Sequence, residues 1–232
     1  MIVLGLYTHH NAAVTIVRGG ELLLNLELER YSRRKHDFGL HEDFVHACLA
    51  RAGLGINEVN VVATNRSNPV FSSSHRTSNV MPGHVTLLGH SLEAFAIDHH
   101  LAHVASAFYT SPFDEAAVVS FDGGGDGQLG AYAWGRQNRI EACEPQRFEN
   151  LGGWWSGLTF NNYRMPRLHA WDPGSGAGKI MALAAYGDYD PEVVAELAHN
   201  MAEPSYSPSY TDPPSLAFHN DEDLSDTRLL RS

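Results

Sequence analysis

Asp98-His99-His100-Leu101-Ala102-His103-Val104-Ala105-Ser106-Ala107-Phe108-Tyr109, followed after a short turn by Val118-Val119-Ser120-Phe121-Asp122-Gly123-Gly124-Gly125-Asp126-Gly127, is the stretch that decides how this chain is read. A helix beginning near His99 places His99 and His103 at i and i+4, so two imidazoles stack on one face. That spacing lets both hold one metal ion. An apolar strand over residues 116–121 then delivers Asp122 into a glycine-rich turn. The carboxylate and the bare backbone N–H groups around Gly123 and Gly124 meet at a strand end, where a metal and a phosphate can both be held. Each half alone is ordinary, because a chain with 14 His offers i,i+4 pairs by chance and Asp-Gly and Gly-Gly are common hairpin turns. The two together are harder to dismiss.

The 232 residues, 43% of them hydrophobic, are enough to bury a real core in one large domain or two small ones. The first residues, Met-Ile-Val-Leu-Gly-Leu-Tyr, carry no basic n-region, and their apolar run is too short for a secretory signal or a membrane span. Cys48 and Cys143 show no CxxC spacing, so neither a disulfide framework nor a thiolate zinc site is expected, and a cytoplasmic location fits. A formal net charge of −11 argues against nonspecific attraction to nucleic acid. One local exception stands out. Arg30, Arg33, Arg34 and Lys35 cluster before His36, either as a solvated turn or as a patch that meets an anion.

Residues 2–7, 12–17 and 21–29 are apolar runs separated by Thr8-His9-His10-Asn11 and by Arg18-Gly19-Gly20, which predicts three antiparallel strands in a row. Phe44, Val45, Cys48, Leu49 and Ala52 recur at helical spacing over residues 40–53, and residues 59–63 read as a buried strand parallel to the first. Residues 65–85 look polar and irregular, as in a functional loop. Strands are expected at 116–121, 129–135 and 139–145, repeating the three-strand plan of the N-terminus with a polar loop at the same hairpin. Gly174 to Lys179 opens a helix over residues 180–186, and glycines before a helix start suggest anion binding, yet Ile180 occupies the Ser/Thr position of a P-loop. After a further short helix at 191–201 the chain becomes Pro-Ser-Tyr-rich and acidic, which reads as a poorly ordered tail over residues 202–232. The expected division is a first lobe at 1–110, a partial second lobe at 111–201 and that tail.

A duplicated β-β-β-α unit with a helical HxxxH and a strand-end Asp is the layout of the α/β actin-like, ribonuclease H-like and sugar-kinase-like fold. Within it, the chain resembles the N-terminal region of the O-carbamoyltransferases of the nodulation-protein and antibiotic-tailoring type. Five stretches carry the resemblance: Leu4-Gly5-Leu6 to His10-Asn11-Ala12-Ala13; Glu27 to His36, reading Glu-Leu-Glu-Arg-Tyr-Ser-Arg-Arg-Lys-His; Asp98-His99-His100-Leu101-Ala102-His103; Asp122-Gly123; and Gly178-Lys179-Ile180-Met181-Ala182-Leu183-Ala184-Ala185-Tyr186-Gly187. They fall in the family's order and cover residues 1 to about 190.

The resemblance implies a transferase acting in two steps. A separate C-terminal domain makes carbamoyl-adenylate from carbamoyl phosphate and ATP, and the actin-like domain moves the carbamoyl group to a hydroxyl of a small-molecule acceptor. It implies a divalent metal, usually iron (Fe2+), on His99, His103 and Asp122, with His10 and Lys35 at the reaction centre. Those residue types suit the chemistry on their own terms. An ammonium and a metal can carry negative charge on a carbonyl oxygen, and an imidazole can take the proton of an attacking hydroxyl at neutral pH. Gly123, Gly124, Gly178 and Lys179 are candidate contacts to the nucleotide, with packing of the turn as the competing role for Lys179. The resemblance also implies further strands, an aspartate and a nucleotide pocket not found in these 232 residues. The expected partners are therefore the missing C-terminal half or a complementary chain, with no nucleic acid, no membrane and a homodimer as an option.

Three other readings compete. A tRNA threonylcarbamoyl-transfer enzyme shares the HxxxH, but the acidic chain lacks an extended basic face. An ATP-dependent phosphotransferase of the same fold would want oxygen ligands for magnesium in place of two imidazoles. A non-catalytic interaction module or split subunit would keep the fold and lose the cofactor. The loop at 65–85 and the Trp154-Trp155 segment are where acceptor contacts are expected.

Overall fold

The computed structural model describes residues 1–65, 79–146, 152, 153, 155, 158, 159, 176–200 and 218–220. The chain divides into two compact units, residues 1–98 with 212–232, and residues 99–211. Sequence had suggested a first lobe ending at residue 110. The helix at 99–109 instead belongs to the second unit, because its apolar stripe packs on that unit's sheet.

The first unit opens with β1 (Ile2–Tyr7), β2 (Ala13–Arg18) and β3 (Glu21–Glu27), paired antiparallel in succession as expected. Alternation explains their facing: Leu4, Leu6, Val14 and Ile16 are buried while their neighbours are less so, the period of a half-buried strand. The predicted third strand of 21–29 stops at Glu27, and α1 (Leu28–Ser32) follows. Buried Leu28 hydrogen-bonds through its N–H to Ala12 O at 2.6 Å, which turns the chain inward there. Next come α2 (Glu42–Arg51), a 3-10 turn at Ile56–Glu58 and β4 (Val61–Asn65), which lies parallel to β1. The helix presents Phe44, Val45, Cys48 and Leu49 to the core, and burial pushes the Cys48 thiol up to about 11, as for a packing residue with little thiolate character.

Residues 65–85 are not loop throughout. β5 (Val80–Leu87) and β6 (His90–Ile97) form a hairpin, and β6 pairs parallel with β4. The two-residue turn is Leu88-Gly89, with φ of 50° and 76°; positive φ at both positions is what a tight hairpin demands, usually met by Asn-Gly. A leucine there hides the turn from sequence, and Pro82 disguises the strand. Pro82 lies outside the three residues of β5 that pair with β10 (Phe218–Asn220), so its missing N–H interrupts none of those pairs. The sheet order is β10-β5-β6-β4-β1-β2-β3. Residues 218–220 of the expected tail are thus a strand, and the rest of 202–232 lies outside the described residues, as do residues 66–78 and Trp154.

The second unit contains α3 (His99–Tyr109) and an antiparallel meander of β7 (Glu115–Gly125), β8 (Gln128–Arg136) and β9 (Arg139–Gln146). His100, Val104 and Phe108 form the buried stripe of the helix at i, i+4 and i+8. Val104 and Phe108 pack against Val118 and Ala133 of the sheet. α4 (Ala177–Ala184) and α5 (Pro191–Asn200) also belong to this unit. Among the described residues no helix is long and apolar enough to cross a membrane.

Candidate metal centre

Two periodicities build this site. On α3, residues 100, 104 and 108 face the sheet, so His99 and His103 flank that stripe one turn apart. On β7, Val118 and Ser120 are buried and Val119 and Phe121 exposed; the next step of the alternation carries Asp122 to the α3 side. Ser120 meets buried His100, Oγ to Nδ1 at 2.9 Å, and two residues further on Asp122 meets His99. Asp122 Oδ2 lies 2.5 Å from His99 Nε2 and 3.2 Å from His103 Nε2, and the two imidazole nitrogens are 3.1 Å apart. The predicted trio is therefore assembled within one unit.

Three such atoms repel unless protons or a cation sit among them. Burial pushes the Asp122 carboxyl up, but hydrogen bonds from His103 and His99, the attraction of His99 and the Gly123 N–H outweigh it and hold the group well below the usual carboxylate range. The Gly123 N–H donates to Asp122 Oδ1 at 2.6 Å, leaving Oδ2 turned to the imidazoles. The side chains of His99, Asp122 and His103 are 23%, 32% and 49% exposed, so one side of the trio is open to a ligand. Two imidazoles and one carboxylate on one side of an ion are the facial donor set of non-haem iron(II) sites and also suit manganese and zinc. The residues present fit a divalent transition metal. His100 is different: burial pushes its imidazole down, partly offset by a hydrogen bond to the backbone carbonyl of Gln128, and a neutral ring facing Ser120 is part of the helix-sheet packing.

Sequence reasoning missed the residues that hold the trio in place. The His99 N–H, one of those a helix start leaves without an intrahelical acceptor, donates to Asp126 Oδ2 at 2.8 Å. Asp126 sits in the left-handed region at φ 49° in the β7–β8 turn, and its charge also suits a helix N-terminus. Asp-Gly announces a turn but not a contact 27 residues away. Gly125 is the second. A Cβ there would meet the His99 ring, so only glycine admits that imidazole. Gly125→Ala is expected to displace His99 and weaken metal binding by the roughly 10–100-fold typical of residues that orient a ligand, measured by competition with a metal-binding dye.

The other predicted site residues are distributed as follows. Gly123 adjoins Asp122, and Gly124 takes φ 139°, a backbone suited to glycine. Gly178 and Lys179 lie in the first turn of α4 and are exposed. His10 and Lys35 belong to the first unit, where His10 bridges to Phe38 and Lys35 lies exposed just beyond α1. Backbone bonds from Ala12 N–H to Asp37 O and from Gly39 N–H to Thr8 O, 3.1 and 3.2 Å, draw those two segments together. In the basic cluster Arg30 contacts Glu29 and Arg34 approaches Asp37, at 3.3 and 3.9 Å, so part of its charge is met locally.

A mixed α/β chain with a two-histidine, one-carboxylate centre is the class that fold and site define. The family model described as Carbamoyltransferase N-terminus matches residues 90–227, which include the whole trio. The chain belongs to that family. It is similar to an uncharacterised protein of Synechocystis sp., 24% identical over 233 residues, covering 84% of this chain and 36% of the relative. Nodulation protein NolNO of Sinorhizobium fredii is 26% identical over 203 residues, with 78% and 28% covered. Nodulation protein U of Bradyrhizobium diazoefficiens is 27% identical over 227 residues, with 84% and 38% covered. The chain thus spans about a third of the length of the curated relatives it matches.

Proposed function

We propose that this chain is the metal-holding N-terminal region of an O-carbamoyltransferase that passes a carbamoyl group from carbamoyl-adenylate to a hydroxyl of a small acceptor. The convergence of His99, His103 and Asp122 within the stretch matched by the family carries this reading. His99, His103 and Asp122 would hold a divalent metal, iron by the family resemblance, and it would supply Lewis-acid polarisation of the carbamoyl carbonyl. His10 takes the proton of the acceptor hydroxyl as the new O–C bond forms and the bond to the adenylate phosphate breaks, releasing AMP. Lys35 supplies a positive charge for the oxygen or phosphate that gains negative charge. Gly123, Gly124, Gly178 and Lys179 serve the nucleotide through backbone N–H groups and an ammonium.

The two units are read as the lobes of an actin-like fold, each containing a three-stranded antiparallel meander. Catalysis then requires the length that the relatives carry in addition, where ATP and carbamoyl phosphate are used. One observation supports such a partner segment: Val119, Phe121, Tyr132 and Trp134 are exposed on the sheet face opposite α3, more apolar surface than a strand face normally leaves in water. Co-expression with the additional segment of a relative, followed by a carbamoyl-transfer assay, tests the reading. Transfer that falls on the order of 10²- to 10⁴-fold in His10→Ala with metal content retained is expected; unchanged transfer would remove His10 from its role.

A further inference from the structure

We infer that Asn11 is a positioning residue that clamps His10 and His36 in one tautomer, an inference that rests on His10 being the proton acceptor proposed above. Asn11 Oδ1 lies 3.2 Å from His10 Nδ1 and 3.1 Å from His36 Nδ1. A carbonyl oxygen only accepts, so both ring nitrogens must donate. A neutral imidazole with its proton on Nδ1 carries its lone pair on Nε2, and His10 then offers Nε2 as the base. Had the amide nitrogen occupied this corner, both rings would accept and the tautomers would invert. One side chain therefore sets the chemistry of two imidazoles 25 residues apart in sequence.

The surroundings are built to hold this arrangement. Asn11 and His36 both lie in the left-handed region, at φ 58° and 52°, which residues other than glycine adopt only when their neighbours require it. Asparagine is among the few that tolerate it. The His36 N–H donates to Glu29 Oε2 at 3.0 Å, and this bond is the chief reason the Glu29 carboxyl titrates below its ordinary range, partly offset by burial. Buried Asp37 fixes the next step of the chain through its carbonyl, which accepts the Ala12 N–H. The order Glu29, His36, Asn11, His10 is a continuous chain of polar contacts that ends on the candidate base.

Position in the sheet points the same way. β1 and β4 are parallel neighbours, and residues 8–11 follow the carboxyl end of β1 while Asn65 closes that of β4. Buried Thr8 donates to Asn65 Oδ1 from its N–H and its hydroxyl, at 3.1 and 3.3 Å. In open α/β sheets ligands gather at the carboxyl ends of parallel strands. The clamp thus stands at the strand ends where a substrate would be met.

The test is a long-range ¹H–¹⁵N correlation spectrum of the histidine side chains in the intact chain, recorded above pH 8 where imidazoles are neutral. Wild type is expected to show His10 and His36 protonated on Nδ1. Asn11→Gly keeps the left-handed backbone and removes the amide, so both rings should lose that tautomer. Asn11→Asp keeps an acceptor oxygen and should retain it. Nδ1 unprotonated in wild type, or both rings unchanged in Asn11→Gly, would overturn the clamp. The spectrum does not depend on transfer, so intact Nδ1–H signals together with unaltered transfer in His10→Ala would keep the clamp and remove only the base role.

Discussion

Asp122→Ala is expected to abolish tight metal binding, a loss well beyond the roughly 10–100-fold that a residue outside the ligand set costs. Asp122 is the one negatively charged member of the trio, and Oδ2 is the atom both imidazoles approach. Without it, two imidazole nitrogens 3.1 Å apart remain, and a divalent cation loses its charge partner. Asp122→Asn sharpens the result, because the amide keeps the size and an acceptor oxygen but not the charge. Titration of the purified chain with Fe2+ or Mn2+ followed by calorimetry measures the effect. Equal affinity in wild type and Asp122→Ala would show that the carboxylate is a hydrogen-bond partner of the imidazoles and nothing more.

Phe44→Ala is expected to have the largest effect on stability. Phe44 is the largest fully buried side chain among the described residues, on the core face of α2, and its ring centroid lies 5.3 Å from that of Tyr31. Removing a buried ring costs about 3–5 kcal/mol through lost burial and the cavity left behind. That is a large share of a stability of roughly 5–15 kcal/mol. Urea unfolding followed by circular dichroism should show a midpoint lower by about 1.5–2.5 M, given a slope of about 2 kcal/mol per M. A shift below about 0.5 M would mean that α2 does not pack on the sheet as described.

What sequence could show was local. His99 and His103 follow from the helical period, Asp122 from the strand period, and both periods are written in ten or so consecutive residues. The β1–β2–β3 meander, α2 and parallel β4 were legible for the same reason. The residues that orient the ligands were not, because Asp126 reaches His99 and Asn11 reaches His36 only once distant segments have been apposed. A strand over residues 92–97, most of β6, was legible, but β5 and the hairpin turn escaped because Leu88 occupies a position that asparagine usually fills, and Pro82 breaks the look of a strand. Helix α1 escaped because five residues, Leu28–Ser32, are too few to display a helical period.

The family assignment extends this reading, since the match at residues 90–227 begins just before α3 and includes Asp122 and α4. The segment that holds the candidate metal therefore lies within the family match. His10, Asn11 and His36 lie before residue 90, so their part in the chemistry stands on geometry and on the resemblance of their own segments.

Metal content of the purified chain, prepared without a polyhistidine tag, tests the central claim most directly. Elemental analysis of wild type beside the double variant His99→Ala, His103→Ala is the comparison needed. About one divalent transition metal per wild-type chain, lost in the double variant while its circular dichroism spectrum is unchanged, is the predicted result. Wild-type chain that takes up no metal when Fe2+, Mn2+ and Zn2+ are supplied, or a double variant that retains it, would contradict the assignment of His99, His103 and Asp122 as a metal centre.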